Sequence, residues 1–167
     1  DVEEAFKKIE TVVVDFETGE KVDIDPDNYD MEKAEKDPET SVKIPSDKDV
    51  AGLSKRPKYA EIYLTKDDSG AIKNVLLPVK GKGLWSTMYG FLALEKDANT
   101  VAGFAYYKQG ETPGLGAEVE NPKWKAQWVG KKLYDESGNP AFKVSKNNSG
   151  GVHEVDALAG ATITGNG

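Results

Sequence analysis

The stretch Tyr59-Ala-Glu-Ile-Tyr-Leu-Thr65, then Asp68-Ser69-Gly70, then Ile72-Lys-Asn-Val-Leu-Leu-Pro-Val79 decides the fold class. Its first part alternates along the chain, Asp-Ser-Gly supplies a turn, and the last part returns with the same β-branched and apolar chemistry, so the spacing predicts an antiparallel hairpin. Working outward, Phe91 to Leu94 and Val101 to Tyr107 predict a second pair joined by the polar segment Glu95 to Thr100. Phe142 and Val144, and then Val152 to Val155, predict two further strands. Upstream, Thr11 to Thr18 and Lys21 to Ile24 read as two strands across a turn at Gly19. Helical signals are fewer. Val2, Phe6 and Ile9 have the spacing of a short amphipathic helix, and Asn121-Pro122 is an N-cap with proline at the first helical position, which puts Trp124 and Trp128 on one face. Strands in adjacent runs rather than alternating with long helices give an α+β fold, a twisted and mainly antiparallel sheet with a few flanking helices.

Composition narrows the function. The 167 residues include 22 Lys plus Arg, 29 Asp plus Glu, one His and no Cys, for a net charge of -7. One domain over residues 1–167 is expected, with a core that needs no staples. The absence of cysteine removes disulfides, thiolate metal sites and thiol nucleophiles, and a lone histidine removes any multi-histidine metal site. The acidic balance argues against nucleic acid, whose phosphates require clustered positive charge. No apolar run approaches the roughly 20 residues that span a bilayer. The acidic, proline-bearing stretch at 25–50 reads as a solvated insertion or loop. A chain that opens at Asp1 inside a helical pattern reads as cut from something longer.

Three segments carry more glycine and small residues than turns alone require. Gly81 to Gly90 sets glycines around Trp85, Met88 and Tyr89, flexible backbone beside flat, polarizable side chains that suit a planar aromatic ligand. On these residues alone, a tight turn leading into a core strand, with Trp85 filling space, is the more ordinary reading. Gly110-Glu-Thr-Pro-Gly-Leu-Gly116 forces a turn at Pro113-Gly114 and lets the main chain at Gly116 approach a carbonyl or anion, with Glu111 and Thr112 beside the apolar Leu115. It is also an ordinary inter-element loop. Asp156-Ala-Leu-Ala-Gly-Ala-Thr162 leaves the Thr162 hydroxyl with little shielding; with no base beside it, Thr162 suits passive attachment of a group better than nucleophilic catalysis. The alternative there is an N-cap threonine.

Taken together and in order, Gly83-Leu-Trp-Ser-Thr-Met-Tyr-Gly90, Glu111-Thr-Pro-Gly-Leu-Gly116 and Asp156-Ala-Leu-Ala-Gly-Ala-Thr162 resemble the family formed by the C subunits of the Na+-translocating NADH:quinone oxidoreductase. The third motif alone marks a wider group of FMN-binding domains, among them the G subunit of the Rnf electron-transport complex. The resemblance runs from about Pro57 onward and is weakest in the acidic segment.

The resemblance implies FMN joined by a phosphoester to the final threonine of the third motif, here Thr162, by a flavin transferase that uses FAD as donor. Thr164 is the second candidate acceptor. Ala159 departs from the Ser or Thr usual in the family and removes a hydroxyl near the attachment site. A fragment made in a host without that transferase is expected to lack FMN. The ring is expected to pack on Trp85 and Leu115, with Glu111, Thr112, Gly114 and Gly116 at its polar edge and Ser86, Met88 and Tyr89 as outer contacts. Gly160 and Ala161 belong to the attachment turn, and Asp156 orients that turn or is read by the transferase. Neither an acid–base residue nor a metal ligand is expected, and His153 reads as a surface or strand residue.

The resemblance further implies a flavoprotein subunit that carries electrons, singly, between redox centres of other membrane subunits in a sodium-pumping, NADH-oxidising, ubiquinone-reducing complex. It implies a single N-terminal anchor in the bacterial inner membrane and a soluble domain on the periplasmic side. The sodium path is expected elsewhere, because no carboxylate cluster here lies in a membrane segment. The alternatives are the Rnf G subunit and a flavin-free binding or scaffold domain.

Overall fold

The computed structural model describes residues 9–111, 113 and 115–158. Five strands form the main sheet: β1 (Ile9–Asp15), β4 (Tyr59–Lys66), β5 (Ile72–Lys82), β6 (Thr87–Glu95) and β7 (Val101–Lys108). Their order is β1-β4-β5-β6-β7, and every pairing is antiparallel. The predicted hairpin is therefore the middle of the sheet. Its turn is held by Asp67, whose Oδ1 accepts the Ser69 and Ala71 N–H groups at 2.9 and 3.0 Å, while Gly70 supplies a φ of 84°. The second pair closes in the same way around Asp97, whose Oδ1 accepts from Asn99 and Thr100.

Alternation along β6 sets the core. Met88, Leu92 and Leu94 point to one face and are buried there with Val101. Against that face pack Val119 from a 3-10 turn at Gly116–Glu120, Trp124 from the short helix Pro122–Ala126, and Val155. Trp128 stacks on Phe104 with centroids 4.9 Å apart and joins the two halves of the core. The N-cap is as expected, with Asn121 Oδ1 accepting the Lys123 N–H at 2.9 Å. Strands β8 (Lys143–Ser145) and β9 (Glu154–Asp156) form a separate parallel pair.

Two expectations change and a third lies almost wholly outside the described residues. Lys21 to Ile24 is not a strand paired across the Gly19 turn; it contributes one bridge, Val14 to Lys21, while β1 takes β4 as its partner over seven residues. Of the helix expected from Val2 to Ile9, all but Ile9 lies outside the described residues, and Ile9 opens β1. The acidic stretch carries structure: a 3-10 turn at Pro26–Asn28, helix α1 (Met31–Lys36) capped by Asp30, and β2 (Ser41–Lys43) paired with β3 (Lys55–Pro57). Its few apolar side chains are used singly; Ala34 is buried, and the Tyr29 hydroxyl donates to the Tyr59 carbonyl at 2.6 Å. Among the described residues, no helix is long and apolar enough to cross a membrane.

Candidate functional site

The described part of the second glycine-bearing segment is hydrogen-bonded to the first, and the described start of the third packs on the core cluster that holds Met88 of the first. Strands β5 and β6 are joined by Gly83 to Ser86, a turn closed by the Gly83 N–H donating to the Ser86 carbonyl at 2.8 Å. The chain after β7 returns alongside this turn. There the carboxylate of Glu111, only 6% exposed, accepts the Trp85 N–H at 3.2 Å, the Ser86 N–H at 3.0 Å and the Ser86 hydroxyl at 3.2 Å. Ser86 Oγ in turn accepts the Gly110 N–H at 2.8 Å. Gln109 extends the network, accepting the Glu111 N–H and donating to Glu120 Oε2, both at 2.7 Å. A buried carboxylate satisfied by several donors rigidifies whatever carries those donors.

What this clasp holds outward is apolar. Trp85 is 72% exposed, with Leu84 at 53% and Leu115 at 50%. An exposed indole on braced backbone, with Leu84 next to it in the turn, forms a ready surface for a flat apolar partner.

The third segment is tied to the same core. The Trp124 indole N–H donates to the Asp156 carbonyl at 2.7 Å, Gln127 Oε1 accepts the Asp156 N–H at 2.9 Å, and Asn148 donates to Asp156 Oδ1 at 2.9 Å. Leu158 then packs on the cluster of Met88, Val119, Trp124 and Val155. One cluster thus draws a residue from each of the first and third segments and Val119 from just beyond the second.

Beside it lies a cavity of about 190 Å3 lined by Gly81, Met88, Gly90, Tyr106, Trp124 and Trp128, among others. The buried Trp128 indole N–H has no hydrogen-bond partner among the described residues. Burial, with the Glu120 charge adding to it, pushes the Tyr106 phenol far above its ordinary value, so it stays protonated.

The expected site residues therefore divide. Trp85, Ser86 and Glu111 come together, but the Glu111 carboxylate is turned into the protein and engages the Trp85–Ser86 backbone; Leu115 is half exposed at the start of the 3-10 turn, and Gly116 is buried in it. Met88 is 3% exposed and belongs to the core. Tyr89 lies on the opposite face of the sheet, against Tyr107 and under the Lys108 ammonium. Asp156 is fixed through its backbone and side chain alike. His153 Nδ1 lies 2.9 Å from the Lys132 carbonyl, to which its N–H donates. Thr112, Gly114, Gly160, Ala161, Thr162 and the alternative Thr164 lie outside the described residues. Gln109, Trp124 and Tyr106 were not anticipated; the signal for Trp124 was its helical spacing from Trp128, which pointed to packing alone.

Residues 83–167 match the family described as FMN-binding domain. The chain is 53% identical over 166 residues to the C subunit of the Na(+)-translocating NADH-quinone reductase of Vibrio parahaemolyticus, covering 95% of this chain and 63% of that protein. It is 52% identical over 169 residues to the subunit of the same name from Vibrio anguillarum, covering 99% of this chain and 66% of that protein. The chain thus spans somewhat less than two thirds of these relatives. The crystal structure of Shewanella oneidensis NqrC is 38% identical and superposes with a TM-score of 0.85, covering 98% of this chain and 76% of that one.

Proposed function

Because the chain belongs to the FMN-binding domain family, as a C subunit of the Na+-translocating NADH-quinone reductase type, we propose that it carries FMN on a phosphoester to Thr162 and passes electrons one at a time between other subunits of such a complex. The observation that supports this most is the packing of the third segment's described start on the core cluster that holds Met88 of the first segment, to which the second is hydrogen-bonded. Leu158 is anchored on the Met88–Val119–Trp124 cluster. Four further residues span about 14 Å at most, so Thr162 is tethered within that reach of Leu158.

The residues present fit the group. A tricyclic ring needs an apolar surface that stays put, and Trp85, with Leu84 next to it in the same turn, offers one on backbone clasped by Glu111. FMN supplies the redox chemistry; the chain supplies binding, orientation and the electrostatic setting. Trp85 and Leu115 cover the ring and exclude water from its faces. Glu111 fixes the Trp85 backbone, and Gly116, with Thr112 and Gly114, lines the polar edge. Asp156, held on both sides, sets the direction in which the attachment turn leaves β9. A covalent tether keeps the cofactor in a site open enough for a partner to approach.

In this reading a flavin transferase forms the ester from FAD, and the domain lies on the periplasmic side of a bacterial inner membrane, beside the other subunits. Co-expression with such a transferase, followed by denaturing electrophoresis under ultraviolet light, tests it. A fluorescent band that disappears in Thr162→Ala and persists in Thr164→Ala supports the assignment; the reverse pattern moves the acceptor.

A further inference from the structure

The face of the sheet turned away from the core carries a second set of aromatic side chains. Alternation places Tyr89 and Phe91 of β6 there, and Tyr107 of β7 lies between them, 5.9 and 5.2 Å from their ring centroids. Their cross-strand partners on β5 are Lys80 and Pro78. The acidic segment folds over this face. Met31 and Glu35 of α1, then Ile44 and Leu53, roof a cavity of about 310 Å3 whose floor includes Pro78, Tyr89 and Tyr107 and whose side is closed by Phe16 and Arg56. None of Trp85, Ser86, Glu111 or Leu115 lines it.

The volume is at the lower end of small-molecule sites, about 300–1,000 Å3, and well above the roughly 150 Å3 apolar cavity that accepts benzene. The chemistry of the walls restricts the occupant. Four charged residues line the cavity, Glu32 and Glu35 against Arg56 and Lys80, so the lining is balanced. Both cations are engaged: Lys80 pairs with Glu35 and thereby ties α1 to β5, while Arg56 lies 4.8 Å over the Phe16 ring and 3.8 Å from Glu17. An anion would find no uncompensated counter-charge, and a lining of two acids against two bases offers a cation no net attraction. Yet Phe16 is 45% and Tyr107 59% exposed, flat apolar surface that a guest would cover.

We propose that this cavity is a binding site for a neutral, planar aromatic molecule of one or two fused rings, held between the Tyr89–Tyr107 floor and the α1–Leu53 roof. The probe is 6-propionyl-2-(dimethylamino)naphthalene, an uncharged two-ring aromatic whose emission moves to the blue and brightens in apolar surroundings, titrated into the 167-residue chain. Saturable one-to-one enhancement is expected. Affinity should fall about tenfold in Tyr107→Ala, which removes one aromatic wall, and similarly in Leu53→Trp, which fills the space. Trp85→Ala, remote from the cavity lining, should leave it unchanged. Because Tyr107 is largely exposed, its truncation tests the site even where Leu53→Trp fails to fold. The proposal is overturned by the absence of saturable enhancement, by unaltered affinity in Tyr107→Ala, or by loss in Trp85→Ala, which would place the probe on the Trp85–Leu84 surface instead.

Discussion

A Cβ on Gly83 would overlap the Glu111 carboxylate, lying 2.7 Å from its Cδ. Gly83 is thus the space into which Glu111 folds when it accepts the Trp85 and Ser86 N–H groups, and the two residues, 28 positions apart in the sequence, form one device that sets the position of Trp85.

Both halves of that device are open to test. Gly83→Ala forces either the turn or the carboxylate to move, a cost of about 1–3 kcal/mol typical of overpacking. Glu111→Ala leaves the N–H groups of Trp85 and Ser86 without their acceptor and costs about 1–3 kcal/mol. Urea denaturation measures each. The double variant should lose less than the sum, because either change already breaks the same clasp.

Trp85 itself should behave in the opposite way. At 72% exposure it contributes little to folding, so Trp85→Ala should unfold within about 0.5 kcal/mol of the parent. Flavin bound to that variant should show altered visible absorption and a shifted midpoint potential, both measurable by spectroelectrochemistry. An unchanged spectrum and potential would separate Trp85 from the ring.

Trp124→Phe keeps the buried ring but removes the donor to the Asp156 carbonyl. A loss of about 1–3 kcal/mol is expected in thermal unfolding. Under the proposed function, the share of chains that acquire flavin should drop as well, because the foot of the attachment segment is no longer fixed.

Acid stability has a local source in the β6–β7 turn. The Thr100 hydroxyl, and then the Thr100 and Asn99 N–H groups, lower the Asp97 carboxyl from its ordinary 3.8 to about 2. A folded value below the unfolded one means that the native state binds fewer protons in this range. The contribution is complete above about pH 4 and lost as pH falls toward 2. Replacing Asp97 by Asn should flatten the fall in stability across that window, seen as melting temperature against pH; an unchanged slope would remove Asp97 as its source.

Much of this fold could be read from period-two patterning. Tyr59–Val79 and Phe91–Tyr107 alternate over long enough runs to name four strands of the sheet, and Asn121-Pro122 named the helix start. Lys21–Ile24 follows its turn signal only briefly: on the free edge of β1 it pairs through the Val14–Lys21 bridge and the Val22 N–H donating to the Val13 carbonyl, and goes no further as a strand. The acidic segment was opaque because its folding relies on isolated anchors, Tyr29, Met31 and Ala34, rather than on a periodic face.

At the site, residue types signalled the right loops but not the side-chain directions. Met88 and Tyr89 are neighbours that a strand must send to opposite faces, so both leave the Trp85 surface. Glu111 looked like a ligand-facing carboxylate. Only the return of the chain beside β6 shows that its partners are the Trp85 and Ser86 backbone.

The central claim, a flavin esterified to Thr162, is tested most directly by peptide mass spectrometry of the protein purified from its native membrane. One FMN phosphoester adduct is expected on the peptide that contains Thr162, with fragment ions assigning it to that threonine. An adduct on Thr164 or elsewhere, or a fully unmodified Thr162 peptide from the active complex, would contradict it.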